Sequence, residues 1–136
     1  MHTISHHAAL IYVMVVTAAA DGDMDDRELA AIGNLVRTLP VFGDFSEDRL
    51  VPVAQECAEI LQEDAGLAAV MGLVKEALPE HLRETAYYLA LELALTDTQV
   101  ALEEIRVIDV LRHALGLERL EAAALERGVR ARYQIA

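Results

Sequence analysis

The sequence predicts an all-α protein, a single-domain bundle of about seven helices with an internal pseudo-two-fold repeat of helical hairpins. Three observations carry this. Apolar residues recur at helical spacing almost throughout, and no stretch alternates in the manner of a half-buried strand. Apolar residues form 54% of the 136, yet only six are Phe or Tyr and none is Trp, with 3 Pro and 7 Gly. That Ala-, Leu- and Val-based composition suits helices packed closely on small side chains. Finally, two segments 76 residues apart superimpose. The length fits one domain over residues 1–136, large enough to close a core without staples.

The elements follow in order. The first helix is expected over about 3–20. Its apolar run, Ala8 to Ala20, resembles a signal-peptide core, but Met1 to His7 contains no Lys or Arg and the run is too short to span a bilayer. It reads as a buried first helix, with neither secretion nor membrane insertion. The second helix starts near Asp25 and ends around Leu39, where Pro40 and Gly43 break it. Ser46 is placed to cap a third, with Glu47 and Asp48 in its first turn and Leu50, Val53, Cys57, Ile60 and Leu61 inward. A fourth follows Asp64 and turns Leu67, Val70, Met71 and Val74 inward. Pro79 suits the first turn of a fifth, which carries Leu82, Ala86, Leu89 and Leu93. The sixth carries Ile105, Ile108 and Leu111, and Gly116 is a natural stop. The last spans about 118–127, ahead of Gly128 and a short tail.

The repeat pairs Tyr12 with Tyr88, Ala18 with Ala94, Asp21 with Asp97, Met24 with Val100 and Glu28 with Glu104. Leu29, Ile32 and Leu35 fall on Ile105, Ile108 and Leu111. Each copy reads as an apolar helix, an acidic loop and a second helix with a Glu in its first turn. The halves run over about 5–39 and 81–115, and they are expected to face each other across an approximate two-fold axis.

Charge narrows the function. Lys plus Arg number 11, Asp plus Glu 23, and the net charge is -12. This excludes a nucleic-acid backbone and an electrostatic dock on anionic lipid, and it suits cations or basic partners. Cys57 is the one cysteine, so it reads as an inert core residue in a chain without disulfides. His2 and His6 have a metal-capable helical spacing, but with His7 they read as a solvated, frayed helix start. His81 and His113 read as surface residues. Tyr12 and Tyr88 read as core packers with hydrogen-bonded hydroxyls beside the pseudo-axis.

The informative stretch is Asp21-Gly22-Asp23-Met24-Asp25-Asp26-Arg27-Glu28. Much of it is helix-start chemistry. Asp25 with Glu28 makes a capping box, Met24 with Leu29 a hydrophobic staple, Asp26 complements the helix dipole, and Gly22 permits a turn. Capping leaves Asp21 and Asp23 unexplained, and crowded carboxylates are relieved by a bound cation. All-oxygen donors favour Ca²⁺, Mg²⁺ or Mn²⁺. The loop is no EF-hand, since Asp26 stands where the turn Gly belongs and Ile32 where the bidentate Glu belongs. The second copy keeps Asp97 and Glu104 but has Ala101 at the capping position. If the hairpins face each other, Asp21, Glu28, Asp97 and Glu104 converge into a shared site, with Asp23 and Asp25 as supplementary ligands. The competing reading is capping plus solvated charge.

The pattern Asp21-Gly22-x-hydrophobic-x-x-x-Glu28 after an Ala-rich helix, with its fainter second copy, resembles the TerB family of tellurite-resistance-associated helical domains. The resemblance extends from about His6 to Gly116. It implies a helical bundle whose acidic cluster binds metal. It also implies a place in bacterial stress-response complexes, cytoplasmic or peripheral at the inner membrane through membrane-associated tellurite-resistance partners. A homo-oligomer is left open. Asp97-Thr98 lacks the glycine, which weakens any second metal position, and no DnaJ-type domain accompanies this chain. No nucleophile with an adjacent base, phosphate loop or cofactor motif is present, so the expected role is non-enzymatic. The alternatives are an acidic protein-interaction scaffold without metal and, more remotely, a metal-dependent hydrolase.

Overall fold

The computed structural model describes residues 3–20, 24–95 and 102–136, excepting the side chains of 102–104. These residues form seven α-helices and three short 3-10 turns, with no strand among them. The helices are α1 (His6–Ala18), α2 (Asp26–Thr38), α3 (Leu50–Leu61), α4 (Gly66–Ala77), α5 (Arg83–Leu95), α6 (Leu102–Ala114) and α7 (Arg119–Arg132).

Two helices have no solvent stripe, and they make the centre. Residues 7–18 of α1 are all buried. In α5, Ala86, Tyr87, Leu89, Ala90, Leu91, Glu92 and Ala94 are buried. A helix apolar on every side must be covered on every side. Accordingly α1 is packed against α5, α3, α4 and α6, while α5 also carries α7. The outer helices are amphipathic, each lending a narrow stripe to the single core cluster. Ile32 and Val36 do this from α2, Leu111 from α6, and Ala122 and Val129 from α7.

The repeat survives folding. α2 and α6 are both 13 residues long and lie 76 residues apart, and α1 matches α5 with an offset of one. Helix direction is fixed at the end of the bundle where α1 and α5 begin. There His7, in the first turn of α1, donates from Nε2 to the Val41 carbonyl at 3.0 Å. Val41 lines a cleft with Glu84, Thr85 and Tyr88 of α5, so α1 and α5 run in the same sense. Arg83 Nη1, at the start of α5, meets the Leu115 carbonyl just after α6 at 3.5 Å, so α6 returns antiparallel. Parallel central helices with antiparallel partners are what a two-fold axis along the bundle produces.

Several local expectations need correction. α1 begins at His6, where the Ser5 hydroxyl accepts from the Ala8 amide at 3.1 Å. His7 is not part of a frayed end. It is buried between Phe42 and Phe45, with Nε2 also 3.0 Å from Asp44 Oδ1. Ser46 precedes a 3-10 turn, Glu47–Arg49, and makes no side-chain cap bond. Pro79 likewise precedes a 3-10 turn, Glu80–Leu82, that leads into α5. The final helix runs through Gly128 to Arg132, because Val129 beyond it is fully buried. Leu67 and Ile105, expected inward, are 38% and 53% exposed.

Two turns depend on backbone geometry. Gly116 stops α6 at φ +69°. Between α3 and α4, Ala65 is left-handed at φ 56°. The next residue, Gly66, lies so close beneath the Ile60 and Leu61 carbonyls that a Cβ there would clash with both.

Candidate functional site

The loop after α1 enters α2 through the capping box read from sequence. Asp25 Oδ1 accepts from the Glu28 amide at 2.8 Å, and Glu28 Oε1 accepts from the Asp25 amide at 3.1 Å. Two amides without helical acceptors are thereby satisfied. Asp25 and Asp26 are exposed, Glu28 is half-buried, and Met24 is packed against the core. The geometry therefore establishes the structural reason for Asp25 and Glu28 and places these two proposed ligands side by side.

The other proposed ligands are placed less fully. Asp21, Asp23 and Asp97 lie outside the described residues, as does the side chain of Glu104. The backbone of Glu104 is the third residue of α6, the position Glu28 holds in α2. Among the described residues, no group of three or more His, Cys, Asp or Glu is arranged to hold a metal ion.

Ala19, Ala20 and Met24 line a groove of about 370 Å³ together with Leu61, Leu67 and Val107. Val107 is five residues into α6, about 8 Å along the helix from its start. The described flanks of the first acidic loop and the early turns of α6 thus share one end of the bundle.

A second polar cluster went unseen in the sequence. Glu92, in the middle of α5, is 6% exposed. Its Oε1 accepts a hydrogen bond from the Tyr133 hydroxyl and lies 3.6 Å from Arg132 Nε. Among the described residues its Oε2 is buried without a hydrogen-bond partner. Burial, followed by bonding to Glu92, raises the phenols of Tyr88 and Tyr133 above their ordinary value. One Glu in a helical stripe gives no hint of burial. The signal lay in the tail, where Arg132-Tyr133 supplies both a cation and a donor within reach of α5.

The remaining singled-out residues are settled by burial. The Cys57 thiol, fully buried and aimed at the Tyr12 carbonyl at 3.8 Å, is pushed up to about 12 by burial. It is the inert core residue expected. Tyr12 is fully buried, and burial with the neighbouring Glu56 charge raises its phenol to about 12. Tyr88 is only half-buried, so the repeat is kept in backbone rather than in side-chain environment.

The family model described as tellurite resistance protein TerB matches residues 7–127. The chain belongs to the TerB family. No curated protein and no solved structure matches it. As a TerB-family member it is a tellurite-resistance-associated helical module. Among the described residues, no helix of this TerB domain is long and apolar enough to cross a membrane.

Proposed function

We propose that this TerB domain is a non-enzymatic stress-response module that binds a divalent cation at its acidic end and acts within protein complexes. The supporting observation is the shared end. Met24 and Ala20, flanking the first acidic loop, line one groove with Val107 of α6, the helix that follows the second loop. Charge crowding there is relieved by a cation. The proposed donors are Asp21, Glu28, Asp97 and Glu104, with Asp23 and Asp25 supplementary. All are carboxylates, a set suited to Ca²⁺, Mg²⁺ or Mn²⁺. Capping and ligation are compatible in kind, because a carboxylate bonded to a backbone amide can still present oxygen lone pairs.

A ligand that binds only the folded state raises the melting temperature by mass action. Millimolar Ca²⁺, Mg²⁺ or Mn²⁺ is therefore expected to shift thermal unfolding upward by several degrees, about 2–4 °C per kcal/mol for a chain near this size. Asp21→Asn with Glu28→Gln is expected to abolish the shift, since Gln preserves the capping box while removing charge. An unchanged melting curve with all three ions eliminates the cation and leaves the acidic interaction scaffold. Its protein partners, including membrane-associated tellurite-resistance proteins that would hold it at the inner membrane, form the second half of the proposal. Pull-down of a membrane fraction tests that half.

A further inference from the structure

We infer that the apolar groove beside the acidic loop docks a basic amphipathic helix of a partner protein. This rests on the interaction reading above and gives the partner a chemistry. Val15 and Val16 of α1 form the groove with Met24, Leu61, Leu67 and Val107. Leu67 remains 38% exposed although its helix turns Val70, Met71 and Val74 inward. Leu67, Ala58 and Met24 present apolar atoms along the groove over a floor of buried Val15 and Val16, which gives an apolar anchor a place to seat.

The border decides the occupant. Asp25, Glu59 and Glu63 are exposed and are the chain neighbours of the lining residues Met24, Ala58 and Gln62, and Asp26 and Asp64 stand one position further along the chain. Among the described residues, Arg106 is the one cation adjoining a lining position. Among the described residues Gln62 is the one polar side chain in the lining, which offers little to orient a polar small molecule. An amphipathic helix fits this arrangement. Its Leu-type anchors enter the slot, and Lys or Arg on its shoulders meet the rim. Anionic lipid, or a second copy of a chain of net charge -12, would bring like charge to the same rim.

The test uses the full chain in EDTA and a fluorescent peptide of about 18 residues, five helical turns, built from Leu and Lys in amphipathic register. Binding by anisotropy is expected, weakened by added salt. Leu67→Lys and Leu67→Ser are each expected to weaken it about tenfold or more, as loss of a central anchor does. Leu120→Lys, at a position 81% exposed on α7, is expected to leave it unchanged. Methyl signals of Val15, Val16, Leu67 and Val107 should shift on titration. No binding overturns the inference. So does equal weakening by Leu67→Lys and Leu120→Lys, or equal binding of a peptide with Ser in place of Leu, since charge alone would then suffice. Binding of anionic vesicles in place of the peptide also overturns it. Failure here with the divalent melting shift intact removes the groove alone; the reverse result removes the cation alone.

Discussion

At the scale of single residues, buried acids that stay protonated give the fold a defined alkaline weakness. In the unfolded chain the Cys57 thiol and Tyr12 phenol ionise near 9.0 and 10.0, whereas in the fold both keep their protons to about 12. Between those values the native state binds more protons than the unfolded state, so stability is complete below pH 9 and falls as pH rises toward 12. Urea midpoints at successive pH values from 8 to 11 should decline, and Tyr12→Phe should flatten that decline. The Cys57 thiol should resist alkylation until the chain unfolds. The turn before α4 offers a sharper test. Ala65 holds a left-handed conformation at a cost of about 1 kcal/mol, so Ala65→Gly should stabilise by roughly that amount. Gly66→Ala should destabilise by several times more, because carbonyl oxygens of α3 occupy the Cβ position. Equal effects from the two substitutions, in chemical denaturation, would contradict this account of the turn.

At the scale of elements, legibility tracked how local the cause was. The α2 start was readable to the residue, because Asp25, Glu28, Met24 and Leu29 carry its signal within six positions. The stop at Gly116 was equally local. The errors share a different origin. Gly128 looked like a terminus, but the buried Val129 and the Arg132–Tyr133 contact with Glu92 hold α7 together past it. His7 looked like part of a frayed start, but the aromatic pocket of Phe42 and Phe45 comes from residues more than 30 positions away. Leu67 and Ile105 fit their helical periods and are nevertheless exposed, since periodicity says which residues share a stripe and not what covers it. Two predictions belong here. Glu28→Ala should cost about 1 kcal/mol through loss of the capping box, and Glu28→Gln much less. Glu92→Gln keeps an acceptor for Tyr133 while removing a buried charge, so it should be tolerated far better than Glu92→Leu, which strands the Tyr133 hydroxyl. Equilibrium unfolding distinguishes the members of each pair.

At the scale of the whole molecule, the matched spacing of α1–α2 and α5–α6 organises the architecture. Each half contributes one largely buried helix, α1 and α5 pair in parallel, and α2 and α6, with α3, α4 and α7, cover them. The sequence made this arrangement visible through the matched Tyr, Asp and Glu positions, although composition alone would have yielded only a helical bundle. Parallel central helices also bring the C-terminal ends of α1 and α5 to the same end of the bundle. The candidate donors are named from residue types and spacing, and of them the described residues include the side chains of Asp25 and Glu28, joined in the capping box. Whether donors from the two halves meet depends on long-range pairing of hairpins, which spacing cannot express.

The most direct test is Mn²⁺ titration of the isotope-labelled protein, reading paramagnetic broadening of backbone amides. The account predicts that substoichiometric Mn²⁺ broadens amides near Met24–Glu28 and near Leu102–Val107 together, and that Asp21→Asn with Glu28→Gln removes both effects. Broadening confined to one of the two segments, or none at all, would contradict a cation site shared between the hairpins.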